Sequence, residues 1–369
     1  MPYHVLITGG AGFIGCHLSR SLLARGHRVR VLDCLVQQVH AGRSSDPALR
    51  DVELLLGDVR DPQQVRRALK GVDAVIHLAA EVGVGQSMYQ IDRYVATNDH
   101  GTAVLLQALL DHPVRRVVVA SSMSIYGEGL YKTRNGGLVE DATRLPRSRA
   151  GNWDPVDADG YPLTPVPTPE SKRPSLASVY AISKFVQEQL VLTVTQAYGM
   201  EGIALRLFNV YGPGQALSNP YTGVLAIFAS ALLNGSAPQV FEDGEQRRDF
   251  VHVHDVADAF VLALENTAVT TGVFNIGSGH SISVREIAEH LAVAMGQRDL
   301  SPAIVGKSRA GDIRHCFADI DLARRELGFS PKRSLDDGMR GLVEWVRRQR
   351  AIDRIAQARH ELEERGLVA

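Results

Sequence analysis

A glycine-rich segment near the start of the chain, TGGAGFIG at residues 8–15, constrains the fold more than any other feature. It follows the apolar run YHVLITG and precedes a segment whose apolar residues have helical spacing. Gly9, Gly12 and Gly15 let the backbone turn tightly and approach a pyrophosphate, which the free N–H groups of the next helix can bind. This pattern predicts a strand, a phosphate-binding turn and a helix, as at a dinucleotide site.

The alternation of short apolar runs and helical patterns continues along the chain. Buried strands are predicted at 3–9, 28–33, 52–58, 73–80, 115–122 and 203–209. Helices are predicted at 13–25, 62–70, 94–111 and 178–198. This alternation indicates an α/β fold, a Rossmann-type doubly wound parallel sheet with helices on both faces.

The domain organisation follows from where this alternation changes. We expect residues 1–205 to form the Rossmann domain, with an insert at 127–175 and a return segment near 238–268. The insert is too long for an ordinary loop. Residues 206–350 should form mainly a smaller, mixed α/β substrate-binding lobe, and residues 351–369 a C-terminal helical tail. Within the lobe, helical patterns at 223–234, 254–265, 283–295 and 338–349 surround a short strand at 273–277.

Composition excludes several classes of function. Lys plus Arg is 40 and Asp plus Glu is 41, so no basic surface for nucleic acid is indicated. There is no signal peptide pattern and no uncharged apolar stretch of about 18 residues, so we expect a cytoplasmic protein without a membrane span. The scattered Cys16, Cys34 and Cys316 favour neither a disulfide framework nor a metal site.

Acidic and small residues at the strand ends complete the predicted dinucleotide site. Asp33 ends the second strand, where a carboxylate can accept hydrogen bonds from a ribose diol and repel a 2′-phosphate. This favours NAD over NADP. Asp58 and Val59 follow the third strand and could contact the adenine, while HLAA (77–80) places small residues beneath the cofactor. The alternative interpretation is a glycine turn with unrelated surface or turn aspartates.

Tyr180 and Lys184 are the candidate catalytic pair, because their spacing puts them on one face of the predicted helix. A phenol has a pKa of about 10, and a nearby ammonium would lower it enough for acid/base chemistry. Ser121 and Ser122 end the fifth strand, at the sheet edge where parallel sheets place ligands. Alone, each feature is more often an exposed pair or a turn-forming serine.

Taken together, the glycine motif, Asp33, the strand-end serines and the Tyr180–Lys184 pair resemble the extended short-chain dehydrogenase/reductases. Within these the chain is similar to the NAD-dependent nucleotide-sugar epimerase/dehydratase family, from residue 4 to about residue 345. The resemblance implies an enzyme with catalytic Ser122, Tyr180 and Lys184, and a homodimer formed through the helices at 94–111 and 178–198. It also implies contacts with bound NAD from Gly9, Gly12, Phe13, Ile14, Gly15, Asp33, Asp58, Val59, Leu78, Ala79, Ala80, Asn98, Tyr180 and Lys184.

Three later segments match substrate-binding segments of this family: LRLFNVYGPGQ (205–215), RRDFVHVHD (247–255) and RAGDIRH (309–315). The implied substrate is a nucleoside diphosphate sugar. An arginine suits it because its rigid fork of donors pairs with phosphate oxygens, although a single arginine is more often a surface residue. The residues that the resemblance assigns to the substrate are Ser122, Ser124, Asn209, Arg248, Arg309 and Asp312.

Within the family, the runs at 82–91, 122–131, 165–170 and 215–228 resemble the dTDP-L-rhamnose 4-epimerases, which implies inversion at C4 through a 4-keto sugar. This subgroup has a long insert, sometimes with cysteines; here 127–175 has none, so a metal-stiffened insert is not expected. Val82 stands where UDP-galactose 4-epimerases usually carry a lysine. The alternatives are a UDP-glucose/UDP-galactose 4-epimerase, a dehydratase, decarboxylase or reductase, and a non-catalytic dinucleotide-binding protein.

Residues 123 and 124 separate epimerisation from dehydration. In the 4,6-dehydratases of this family an Asp–Glu pair follows the catalytic Thr, and the two acids remove water from the sugar. Here the positions hold Met123 and Ser124. A thioether cannot transfer a proton, and a serine hydroxyl is a weak acid and base. The sequence therefore predicts epimerisation at C4.

Overall fold

A seven-stranded parallel sheet forms the centre of the computed structural model, which describes residues 2–40, 46–144, 153–219, 221, 223–349 and 355–368. Its strands, in chain order, are β1 (His4–Thr8), β2 (Arg28–Asp33), β3 (Glu53–Leu56), β4 (Ala74–His77), β5 (Arg116–Ser122), β6 (Glu201–Leu207) and β7 (Thr271–Ile276). The spatial order is β3-β2-β1-β4-β5-β6-β7. The predicted Rossmann-type α/β sheet is confirmed, with strand ends shifted by a few residues.

Nine α-helices are used in the description that follows: α1 (Phe13–Ala24), α2 (Pro62–Leu69), α3 (Gly101–Asp111), α4 (Val179–Ala197), α5 (Val224–Leu233), α6 (Val253–Glu265), α7 (Val284–Ala294), α8 (Leu335–Val346) and α9 (Ile355–Glu364). The predicted helix at 94–111 is divided, because a wide π-helical turn at Val95–His100 precedes α3. None of the helices in the described part of the chain combines the length and the apolar character that a membrane crossing needs.

Helices cover both faces of the sheet, which is why its strands read as nearly continuous apolar runs. Val5 and Ile7 of β1 pack on one face with Phe260 of α6, and Leu6 packs on the other with Leu105 of α3. All of these side chains are fully buried, and each contributes roughly 1.5–3 kcal/mol. This alternation of side chains along a strand makes the sheet doubly wound.

The smaller lobe has a core of its own, in which α5, α7 and α8 pack together through Phe228, Leu291 and Leu342. Helix α7 begins with a capping box between Ser283 and Glu286, a local signal that fixes its first turn. The chain returns from the lobe to the central sheet through α6, which lies inside the expected return segment at 238–268. It then forms β7, which lies beyond that segment. Short strands of two or three residues pair with one another in the lobe: Asn209–Tyr211 with Phe250–His252, Gln239–Val240 with Ala303–Ile304, and Arg247–Arg248 with Ile282–Ser283 and His315–Cys316.

The insert is organised where the structure describes it, at 127–144 and 153–175. Its three short antiparallel strands are Leu130–Lys132, Leu138–Val139 and Thr164–Val166. Backbone hydrogen bonds attach it to the lobe, because Gly129 N donates to His315 O at 2.8 Å and Thr168 N donates to Phe317 O at 2.8 Å. The insert therefore packs beside the lobe segment that contains the predicted residues Arg309 and Asp312.

Candidate active site

A cavity of about 1090 Å³ lies along the carboxyl edge of the sheet and extends to the lobe. Parallel α/β sheets place ligands at this edge. Of the predicted site residues, all but one line this cavity: Gly9, Gly12, Phe13, Ile14, Gly15, Asp33, Asp58, Val59, Leu78, Ala79, Ala80, Ser122, Ser124, Tyr180, Lys184, Asn209, Arg248, Arg309 and Asp312. Thus segments from the whole chain meet in one space.

The glycine turn fits a pyrophosphate sterically. Gly9 has φ +68°, and a Cβ there would lie 2.7 Å from the Ala79 backbone. Gly12 is the N-cap of α1 and has no side chain to cap the helix, so the first N–H groups of α1 are left for a ligand. A Cβ on Gly15 would collide with the Gly10 carbonyl oxygen. Gly9 and Gly15 are thus required by close backbone approach.

Asp33 fixes this turn from the end of β2. Its Oδ2 accepts a hydrogen bond from Ala11 N at 3.0 Å and its Oδ1 accepts one from Leu35 N at 2.8 Å. Its neighbour on the cavity wall, Asp58, pairs with Arg60 at 2.6 Å, and hydrogen bonding from Arg60 holds the pKa of Asp58 below its usual value. Both carboxylates therefore line the cavity with their positions fixed, Asp33 by backbone N–H groups and Asp58 by Arg60.

Asn98 is the exception, because the structure does not bring its side chain to the cavity as the predicted cofactor contact requires. The side chain is fully buried and is not part of the cavity wall. Oδ1 accepts a 2.7 Å hydrogen bond from Glu81 N, and Nδ2 donates to Ser183 Oγ at 2.9 Å. These contacts join the segment after β4 to α4. Asn98 therefore stabilises two segments of the cavity wall without contacting the cavity itself.

Tyr180, Ser122 and Lys184 meet at the middle of the cavity. Ser178 caps α4 by accepting from Ala181 N, which starts the helix just before Tyr180. Burial raises the pKa of Tyr180 to about 12, and the Ser122 hydroxyl acts in the opposite direction. Burial also lowers the pKa of Lys184 to about 7, opposed by the charges of Glu188 and Asp99.

These pKa values correct one expectation. We expected a Lys184 ammonium to lower the pKa of Tyr180, but Lys184 is only partly charged near neutrality and burial dominates the tyrosine. The reason is desolvation, because Lys184 is buried and the nearest partner of its Nζ is the uncharged Gln187 Oε1, to which it donates at 2.6 Å. A neutral amide stabilises an ammonium less than water does.

Sequence reasoning missed the groups behind Lys184. Gln187 Nε2 donates to Thr102 Oγ1 at 2.8 Å and lies 3.1 Å from His77 Nε2. His77 also bonds Thr8 Oγ1 at 2.6 Å, and burial lowers its pKa to about 3, so the imidazole is neutral. The helical spacing of Gln187 relative to Lys184 was the available signal.

The lobe side of the cavity carries the predicted substrate residues. Arg248 is held in place because its guanidinium donates to the Arg314 carbonyl oxygen at 2.9 Å and to that of Ile313. Arg309 pairs with Asp312 at 2.9 Å and stacks 4.5 Å from the Phe241 ring centroid. Asn209 Oδ1 is buried and has no hydrogen-bond partner within the described ranges. This oxygen can accept from a bound ligand.

The insert affects the cavity indirectly. None of its described residues lines the cavity. Instead Arg144 pairs with Glu128 at 2.8 Å, with the buried Glu242, and with the Asp312 carbonyl oxygen. Glu128 also accepts from Arg314 N at 2.8 Å. The insert therefore braces the backbone of the loop that carries Arg309 and Asp312.

The C-terminal tail contributes residues that the sequence did not indicate. Arg359 and Leu362 of α9 both line the cavity. In the part of the chain that the structure describes, no group of three or more His, Cys, Asp or Glu side chains is arranged to hold a metal ion.

Comparisons with known proteins agree with this geometry. The family model described as the NAD dependent epimerase/dehydratase family matches residues 5–147 and 159–277. A dTDP-L-rhamnose 4-epimerase from Burkholderia thailandensis is 36% identical over 350 residues, which cover 93% of this chain and 94% of that protein.

Solved structures have the same architecture. UDP-glucose 4-epimerase from Thermotoga maritima, solved with UDP-glucose, aligns with TM-score 0.77 and 31% identity, covering 93% of this chain and 98% of the other. UDP-glucose 4-epimerase from Thermus thermophilus, solved with NAD, aligns with TM-score 0.73 and 30% identity, covering 94% of this chain and 100% of the other.

Proposed function

The chain belongs to the NAD-dependent epimerase/dehydratase family of enzymes, and we propose that it inverts C4 of a nucleotide-linked sugar, dTDP-L-rhamnose, to form dTDP-6-deoxy-L-talose. The observation that carries the reaction type is the meeting of Ser122 and Tyr180 in a cavity where Met123 and Ser124 occupy the positions of a dehydratase acid pair. The similarity to the Burkholderia thailandensis 4-epimerase supports the choice of sugar.

In the proposed reaction Tyr180 acts as a phenolate, which takes the proton from the sugar 4-hydroxyl and returns it after inversion. Oxidised NAD, when bound beside these residues, would supply the hydride acceptor for C4 and a positive charge that favours the Tyr180 phenolate against the effect of burial. Ser122 donates a hydrogen bond to the sugar O4 and so holds it beside the phenol. Lys184, close to neutral in its buried site, donates to a cofactor hydroxyl and orients it.

Loss of water from the sugar lacks assistance in this site. Met123 packs in an apolar cluster with Ile125 and Phe208 and has no group that exchanges protons. The Ser124 hydroxyl lies 2.8 Å from that of Ser122, so it is positioned to orient the catalytic hydroxyl. The 4-keto sugar is then left with hydride return as its assisted route, after it turns over in the cavity.

The diphosphate would be held on the lobe side, which lets the sugar turn while the nucleotide stays fixed. Arg248 and Arg309 supply the positive charge, and Asn209, which also lines the cavity, would donate to a phosphate oxygen from its amide nitrogen. Arg248 is suited to this role because two backbone carbonyls already fix its guanidinium. Preorganised donors of this kind bind charge without reorganisation.

A UDP-linked glucose or galactose is the second candidate substrate, favoured by the likeness to the Thermotoga maritima enzyme solved with UDP-glucose. The test is to incubate the protein separately with dTDP-L-rhamnose and UDP-glucose in D2O, without a reductant, and to follow both by NMR. We expect the C4 epimer of one of them, with no deuterium at C4 or C5. A 4-keto-6-deoxy product carrying deuterium at C5 would contradict epimerisation.

We also propose a homodimer, formed through the helices that carry exposed apolar residues beside the site. Ile91 is 52% exposed, Val95 is 42% exposed, and Ile182 of α4 is 44% exposed. Analytical ultracentrifugation should give the mass of a dimer for the wild type and of a monomer for Ile182→Glu. A monomeric wild type would contradict this proposal.

A further inference from the structure

The C-terminal segment, residues 355–368, crosses the cavity and is attached on both sides of it. On the Rossmann side, Leu362 is 6% exposed and packs at Gly85. Glu361 Oε2 accepts hydrogen bonds of 3.0 Å from the hydroxyls of Tyr89 and Tyr221, whose oxygens are 2.6 Å apart. These contacts fix α9 against the segment that follows β4.

On the lobe side the same segment contacts the loop that carries Arg309 and Asp312. Glu363 pairs with Lys307 at 3.0 Å, and Ala310 N donates to Leu367 O at 2.8 Å. Val368 forms an antiparallel bridge with Arg309, one of the proposed phosphate-binding residues. The segment is therefore a wall of the cavity, and its position is coupled to that of Arg309.

Arg359 is the charged residue of this wall that faces the cavity. It lies one helical turn before Leu362, which also lines the cavity, whereas the side chain of the intervening His360 is 71% exposed. Glu363 accepts from Arg359 Nε at 2.9 Å, and Gln239 Oε1 accepts from Nη1 at 3.1 Å. The guanidinium is thus oriented by one partner on its own helix and one in the lobe.

We propose that Arg359 is a specificity-determining residue that contacts the nucleobase of the substrate, with a pyrimidine carbonyl oxygen as acceptor. The inference rests on the proposed nucleotide-sugar substrate. If the sugar lies at Tyr180 and the diphosphate at Arg248 and Arg309, the nucleoside must extend along the wall beyond them. Gln239 is two residues before Phe241, on which Arg309 stacks, so it and Arg359 stand at that end.

The neighbours of Arg359 favour a base over a further phosphate. Glu363 is shared by Arg359 and Lys307, so its charge alone does not select the ligand. The Gln239 amide oxygen beside the guanidinium can accept from a base N–H, whereas a phosphate oxygen has no proton to donate to it. A thymine or uracil edge presents two carbonyl oxygens and an N–H between them, which match guanidinium donors and the Gln239 amide oxygen. Adenine has no carbonyl oxygen and presents an amino donor beside its ring-nitrogen acceptors, so its edge matches these donors less well.

The experiment measures binding of dTDP and ADP to the NAD-loaded enzyme by calorimetry. Compared with wild type, Arg359→Met should lower the affinity for dTDP by about tenfold, because a hydrogen bond from a charged group is lost. The affinity for ADP should change by less than about twofold, so that the preference for dTDP over ADP largely disappears. Methionine keeps the packing of the long side chain. His360→Ala, on the outer face of the same helix, is the matched control and should leave both affinities unchanged.

Gln239→Ala removes the partner on the lobe side and should reduce the same preference without altering α9. Equal weakening of dTDP and ADP in Arg359→Met would overturn the assignment to the base, and unchanged dTDP affinity would overturn the contact itself. Nucleotide binding needs no turnover, so these results hold even if C4 inversion is absent. A wild-type enzyme that binds neither nucleotide would refute the nucleotide-sugar substrate and this inference together.

Discussion

Lys184 donates a 2.6 Å hydrogen bond from Nζ to Oε1 of Gln187, one turn further along α4. Gln187 in turn donates to Thr102 at 2.8 Å. The hydrogen-bonded groups behind the Lys184 amine are therefore uncharged. Burial among them lowers the pKa of Lys184 from 10.5 to about 7. The lysine can therefore change its protonation near neutral pH, and its burial has a measurable effect on stability.

Lys184→Met should be more stable than the wild type at low pH, on the order of a few kcal/mol. Because the unfolded chain binds more protons than the folded one between pH 7 and 10.5, burial of Lys184 costs most below pH 7. The cost declines as pH rises toward 10.5. Urea unfolding of the NAD-free wild type and variant at pH 6, 8 and 10 measures this cost, because bound NAD would add its own contribution to stability. A gain that is equal at pH 6 and 10, or that also appears in the exposed control Lys332→Met, would contradict this account.

Tyr180→Phe should lose nearly all turnover and keep both NAD and nucleotide binding. The phenolic oxygen is the proposed proton carrier, and loss of a general base costs about 10²–10⁴-fold. Steady-state rates measure the loss. NAD released when the purified variant is denatured shows that its cofactor site is intact. Tyr198→Phe, an exposed phenol just after the same helix, is the control. Retention of more than about a tenth of the wild-type rate would exclude this role for Tyr180.

Asp33 should determine the choice of cofactor. Nucleotide released from the purified wild type should be NAD, tightly held because the reaction cycle has no need to exchange it. Asp33→Asn should reduce the preference for NAD over NADP by about tenfold, since the carboxylate no longer repels a 2′-phosphate. Titration of both nucleotides into the stripped proteins measures the ratio. NADP as the main nucleotide of the wild type would refute the argument.

Arg144→Gln should raise the KM for the nucleotide sugar by about tenfold with little change in kcat, because the Asp312 carbonyl loses a charged donor. Bound NAD should be unaffected, since none of the residues that the structure describes in the insert lines the cavity. Arg173→Gln is the matched control: it lies in the same insert, and its side chain is 74% exposed. Loss of NAD with an unchanged KM would show that the insert acts elsewhere.

The periodicity of the sequence was enough to predict the sheet and most helices. Fully buried strands such as β1 and β5 appear as short apolar runs, and the glycine turn between β1 and α1 has a steric cause that is local. The candidate catalytic residues were predictable for a related reason. Ser122 stands at a strand end and Tyr180 at a helix start, so elements that are themselves predictable carry both to one sheet edge.

Contacts between distant side chains were beyond such reasoning. Asn98 was predicted to touch the cofactor because of its position in the family pattern, yet its amide bonds Glu81 and Ser183. The bracing role of Arg144 depends on where the insert docks, and that depends on Glu128 and Glu242 far away in the chain. Nothing periodic in a helical tail reveals that two tyrosine hydroxyls will hold Glu361.

The bridge between Val368 and Arg309 has a practical consequence for handling the protein. An affinity tag or fusion partner joined after this position would leave the molecule beside a proposed phosphate-binding arginine. The amino terminus leads directly into β1 at the opposite edge of the sheet from the cavity. Purification tags therefore belong at the amino terminus, and kinetic constants from carboxyl-tagged enzyme should be compared with those of the cleaved form.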